Sequence, residues 1–145
     1  MYRIPKSIGI IFLIILLNST SHSKENFFNQ AIELFNTEKY EDAKFLFERN
    51  IVFNPKDANS YLYLAKIYNF QKDQRKEEYN LETTLLIDPK NEEALLMKIK
   101  IALKKSNYQV VKSYLEKFNK VCINLCDENK IIKDSLKNIE PDNES

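Results

Sequence analysis

Two prolines, Pro55 and Pro89, stand 34 residues apart, and they sit in similar phrases, FNPKDANSYLYLA and IDPKNEEALLMKI. Self-similarity at a fixed period of this length marks a helical repeat array. Proline lacks an amide donor and clashes with the preceding turn, so each phrase ends one helix and begins another. Asp57 and Asn91 follow two residues later, where a capping side chain is needed to accept from the first free amides of a helix. Glu92 and Glu93 then fall in a first turn, where the helix dipole favours acids.

Apolar residues recur at helical spacing on both sides of these marks. The pattern predicts helices over about 25–36, 41–53, 58–71, 74–87, 92–105, 108–120 and 128–139. No stretch alternates with period two for long enough to suggest a strand. The expected fold class is all-α, an α-solenoid of antiparallel helix pairs. One pair cannot bury its own apolar face, so neighbouring pairs stack.

The segment KYEDAKFLFERNIVFNP resembles the second half of a tetratricopeptide repeat, with Ala43, Phe47 and Pro55 in that family's order and spacing. DANSYLYLAKIYNFQKD is similar to the first half of the next repeat, through Tyr61, Leu64, Ala65 and Tyr68. A third repeat keeps Leu95, Tyr108 and Leu115. The resemblance covers roughly residues 25–120 and implies a TPR-like superhelix of about three repeats. The repeat domain would span 24–139, with a capping helix at about 127–139 and a disordered tail at 140–145. Three positions depart from the pattern. Ile99 and Val111 stand where small residues are usual, and Glu77 stands where an alanine is usual. A lone buried carboxylate is costly, so the favoured expectation is a late-starting helix whose Glu77 reaches water, with Glu77→Ala stabilising. A specific partner for Glu77 would reverse that expectation.

In this family the first helix of each pair lines an inner, partner-binding face. The resemblance places Phe28, Ile32 and Phe35 there from the first repeat, Leu62, Lys66, Asn69 and Phe70 from the second, and Leu96, Lys100 and Leu103 from the third. Packing against neighbouring helices is the competing reading for each of them. An apolar groove with two lysines suits an amphipathic helix or an extended hydrophobic peptide. Some family members clamp a terminal carboxylate with paired Lys and Asn. Phe28 and Ile32 occupy the corresponding places here, so that activity is not implied. The expected function is a protein–protein interaction module or scaffold. The alternative is a self-associating, homo-oligomeric envelope protein in which the first helix packs against another copy.

Residues 1–23 read MYRIPKSIGIIFLIILLNSTSHS, with Arg3 and Lys6 ahead of an apolar run from Ile8 to Leu17. As a helix that run spans about 15 Å, half of a hydrocarbon core of about 30 Å. Ser21 and Ser23 suit a small-x-small cleavage site, so 1–23 is expected to be a secretory signal peptide cut before Lys24. An uncleaved anchor is the alternative. Cleavage would leave no stable membrane span and place the protein outside the cytoplasm, in a bacterial periplasm.

Without that leader the composition is restrictive. The formal charge is +1, and removing Arg3 and Lys6 leaves no positive surplus, which disfavours nucleic-acid binding. The only glycine, Gly9, and the only histidine, His22, both lie in the leader, and there is no Trp. Glycine-rich phosphate loops, serine–histidine triads and histidine metal sites are therefore excluded from the mature chain. The expectation is no enzyme, no cofactor and no metal. Cys122 and Cys126 are the only cysteines, and an even count in an exported chain favours a disulfide. Residues four apart in a continuous helix are poorly aimed for a bridge, so the bridge implies a break near Asn124. Free thiols and cross-chain pairing are the alternatives.

Overall fold

The computed structural model describes residues 26–137. The expected signal peptide and the expected tail at 140–145 lie outside the described residues. Seven helices and no strand occur among the described residues: α1 Asn26–Asn36, α2 Tyr40–Phe53, α3 Ala58–Phe70, α4 Gln74–Ile87, α5 Glu92–Lys104, α6 Tyr108–Val121 and α7 Glu128–Lys137. Each lies within two residues of the range read from the periodicity. No helix among the described residues is long and apolar enough to cross a membrane. The chain divides into two compact units, one ending at Pro55 and one beginning at Lys56.

The first unit is the pair α1 and α2. Ala31 and Ala43 are fully buried, and without bulky side chains they let the two backbones approach. Aromatic contacts close both ends of the pair. Phe27 stacks on Phe53 at 5.8 Å and Phe35 meets Tyr40 edge-on at 5.5 Å, which makes the helices antiparallel. Phe28 packs edge-on against the fully buried Phe47 at 5.7 Å. The Arg49 guanidinium lies 4.3 Å from the Phe27 ring centroid, covering it from outside.

The second unit holds α3 with α4, α5 with α6, and α7. Leu62, Ala65, Leu81, Ala94 and Ile101 form one buried cluster from α3, α4 and α5. A larger cluster joins Leu95, Leu96 and Ile99 of α5 to Val111, Leu115 and Phe118 of α6 and to Ile132 and Leu136 of α7. Each large side chain so buried contributes about 1.5–3 kcal/mol. Ile99 and Val111 are buried in this cluster although they exceed the usual volume at their positions.

The period of 34 is also written in the turns. Glu38, Lys72 and Ser106 have φ of 60°, 59° and 51°, one in each loop that joins the two helices of a pair. In each case the next amide donates to the carbonyl five residues back: Lys39 to Leu34 at 2.9 Å, Asp73 to Tyr68 at 3.0 Å and Asn107 to Ala102 at 2.9 Å. This closure satisfies carbonyls left free at a helix end and normally uses glycine, which tolerates left-handed backbone. Here Glu, Lys and Ser bear the conformation instead. The helices α3 to α6 are capped by side chains. Asp57 accepts from Asn59 N, Asp73 from Lys76 N, Asn91 from Ala94 N and Asn107 from Val110 N.

The expectation for Glu77 is corrected. α4 begins at Gln74, so the helix does not start late, and Glu77 is only 5% exposed. Its Oε1 accepts from Asn69 Nδ2 at 2.8 Å, a partner supplied by α3. The premise that Glu77→Ala relieves an unpartnered charge therefore fails.

Candidate partner-binding face

In the second unit α3 and α5, the first helices of their pairs, share a face. Lys66 Nζ of α3 reaches Glu93 Oε1 of α5 at 2.7 Å and lies 4.4 Å from the Tyr63 ring centroid. Lys100 of α5, one repeat after Lys66, pairs with Glu128 Oε2 of α7 at 3.3 Å. Phe70 ends α3 with 56% of its surface exposed. Asn69 lies beside it, and its amide is committed to Glu77. Tyr63, Lys66 and Phe70, at i, i+3 and i+7, form one strip along α3 beside the Lys66–Glu93 pair. Such a strip offers apolar contact, a phenol, and ammonium and carboxylate groups.

Two groove assignments need correction. Leu62 and Leu96 are 4% and 6% exposed, so neither lines an open face. Leu62 is enclosed in the cluster it shares with Ala65, Leu81, Ala94 and Ile101, and Ile132 and Leu136 of α7 share the cluster that holds Leu96. Lys66 is half-buried and Lys100 exposed, both on the shared face, while Leu103 is half-buried against the larger cluster. In the first unit Phe28, Ile32 and Phe35 are each half-buried, with Phe28 and Phe35 engaged by Phe47 and Tyr40. Tyr63, Glu93 and Glu128 were missed. Tyr63 was within reach, because it stands three residues before Lys66 on one helix face. The two glutamates come from other helices, and no local pattern announces them.

Two carboxylates near this face titrate in opposite directions. Burial pushes the Glu77 carboxyl above the usual range, against the pull of the Asn69 amide. Backbone amides of Ile123, Leu125 and Asn124 hold Glu92 below it, despite some desolvation. Asn124 N and Leu125 N each lie 3.0 Å from Glu92 Oε2. These amides belong to the short segment closed by the Cys122–Cys126 disulfide, whose Cα atoms are 5.3 Å apart. The helical path breaks after Val121, as the bridge requires.

No family model and no curated protein matches the chain. Solved structures do. The Yersinia enterocolitica type III secretion chaperone SycD, solved in complex with a peptide of the translocator YopD, matches 84% of this chain and 95% of its own, with 18% identity and a TM-score of 0.70. The Yersinia enterocolitica type III secretion translocator chaperone SycD matches in a second structure over 87% and 90%, with 19% identity and a TM-score of 0.70. An alternative dimer of SycD matches over 84% and 95%, with 18% identity and a TM-score of 0.68. The fold is tetratricopeptide-like. At this identity the likeness speaks for the architecture alone: an all-α helical repeat, with α3 and α5 in the place of first helices.

Proposed function

We propose that the protein is an exported, non-enzymatic scaffold that holds a peptide or amphipathic helix of a partner protein on the face of α3 and α5. The observation that carries this reading is the exposed Phe70 ring at the end of α3, on the helix whose Tyr63 and Lys66 join the Lys66–Glu93 pair. An apolar residue of a peptide would cover Phe70, and its flanking polar groups would meet charges already held in place. The SycD structure with a translocator peptide supports use of this fold for holding peptides. Export to a bacterial periplasm rests on Arg3, Lys6 and the apolar run that follows, and the bridge between Cys122 and Cys126 suits an oxidising compartment.

Self-association is the second reading. It is favoured by Phe45, Val52 and Phe53, which are exposed on α2. A photo-crosslinking residue placed at Phe70 and, separately, at Phe45 separates the two in intact cells. The first reading expects a distinct protein to be captured from position 70, with capture lost when Lys66→Glu and Lys100→Glu are added. Recovery of the chain itself as the sole product, from position 45, would replace it with the second.

A further inference from the structure

The two sulfurs of the bridge stand in different surroundings. Cys126 lines an open cavity of about 760 Å³ together with Lys130, Lys133, Asp127 and Asp134. Cys122, half-buried like Cys126, is not part of that lining and packs against the buried cluster of α5, α6 and α7. Its Sγ accepts from Asn129 Nδ2 at 3.9 Å, and Asn129 Oδ1 is buried without a hydrogen-bond partner. The bridge also fixes the segment whose Asn124 and Leu125 amides grip Glu92, immediately before α7.

We propose that the Cys122–Cys126 bridge is a thiol-exchange site entered at Cys126, and that opening it releases α7 from the end of the α5–α6 pair. The thiolate of a dithiol reductant enters the cavity and attacks Cys126 Sγ. A bond forms between the incoming sulfur and Cys126, the Cys122–Cys126 bond breaks, and Cys122 leaves with the electron pair. The Asn129 amide already points a donor at that leaving sulfur, which is where a nascent thiolate needs one. Cys122 then takes a proton from water, and the new S–H can donate to Asn129 Oδ1, which the bridged form leaves empty. The second thiol of the reductant attacks the mixed disulfide and frees Cys126. The reductant departs as a disulfide, two electrons poorer.

Opening returns freedom to the segment that holds Glu92. Other ties of α7 include the Lys100–Glu128 pair, which is partly exposed, the contact of Asn129 with Cys122, and the buried Ile132 and Leu136. Their loosening uncovers the Leu95, Leu96 and Ile99 side of the larger cluster. The end of the repeat array is thereby covered in the bridged form and uncovered in the dithiol form.

The full oxidised chain tests this directly. After a brief exposure to 2-mercaptoethanesulfonate and an acid quench, peptide mapping should find the mixed disulfide on Cys126 at least about tenfold over Cys122, because attack follows access. Equal labelling, or labelling led by Cys122, overturns the entry route. Asn129→Ala should slow the exchange by about tenfold, the loss expected when a charged sulfur forfeits a donor. A purely structural role for Asn129 would loosen the segment and speed the exchange instead. After full reduction with dithiothreitol, amide exchange at Asn124, Leu125 and along α7 should rise about thirtyfold, the factor expected for opening a loop this short. Unchanged protection there would defeat the release of α7.

Discussion

The first helix pair and the larger unit that begins at Lys56 stabilise the same repeat phrase in different ways. α1 and α2 rely on rings: Phe27 with Phe53, Phe28 with Phe47 and Phe35 with Tyr40. The pair leaves Phe45, Val52 and Phe53 in contact with water. The unit from α3 to α7 is built on aliphatic clusters, and its helices are cross-tied by Lys66–Glu93, Lys98–Glu82 at 3.0 Å and Lys105–Glu78 at 2.6 Å. Large aromatics can fill the gap in a single pair, because two rings cover what several aliphatic residues cover elsewhere. Where several helices meet, small and branched residues interdigitate and charges at the edges fix which helix lies beside which.

The largest effects should come from the centres of the two cores. Phe47 and Leu81 occupy the same repeat position and are both fully buried. Phe47→Ala should cost about 3–5 kcal/mol and Leu81→Ala about 2–5 kcal/mol in denaturant melts. Amide exchange should report the first loss along α1 and α2 and the second along α3, α4 and α5. A loss below about 1 kcal/mol at Phe47 would break the contrast, because the rings would then not be carrying the first pair.

The shared turn gives a smaller effect of the opposite sign. Lys72→Gly and Glu38→Gly should each raise stability by about 1 kcal/mol, since both remove a β-carbon from left-handed backbone. Equal gains would confirm that one turn serves both units, and a loss at either site would show that its turn differs.

Charge effects are smaller again. Glu77→Gln keeps an oxygen for the Asn69 amide and removes the buried charge, so it should stabilise by about 1 kcal/mol or less at neutral pH. Burial raises the folded pKa of Glu77 above its unfolded value. Its favourable contribution is therefore full below the ordinary Glu range and is lost as pH rises through the raised value. The gain from Glu77→Gln should accordingly vanish in acid. Glu92 behaves in reverse. Its folded pKa is lowered by the Ile123, Leu125 and Asn124 amides, so its contribution is present above the unfolded value and is lost as pH falls through the lowered one. Glu92→Gln should flatten that acid limb in thermal melts recorded across pH, and an unaltered limb would mean that the three amides do not hold the carboxylate.

The helices were legible because their signals are local. Proline positions, Asx caps and apolar spacing each act within a few residues, and they located all seven described helices. The break at Cys122–Cys126 was legible because bridge geometry and helix geometry conflict over so short a span. The face of α3 and α5 was legible only in part. The resemblance placed Lys66 and Phe70 on it, whereas the burial of Leu62 and Leu96 depends on residues of other helices, Leu81 and Ile101 around Leu62 and Ile132 and Leu136 around Leu96. Glu77 was misread for a related reason: its partner, Asn69, sits on the preceding helix across the turn, and a scan along one helix does not see it. The three left-handed residues escaped notice because glycine is the usual sign of such a turn, and Glu, Lys and Ser carry it here.

The repeat itself is tested most directly by nuclear magnetic resonance on the labelled chain, reading the backbone φ of Glu38, Lys72 and Ser106 from scalar couplings and carbon shifts. Three helix pairs on one 34-residue period require positive φ at all three positions, and that is the result expected. Helical φ at Lys72, with α3 running unbroken into α4, would contradict the pairing on which the fold and the proposed partner face both stand.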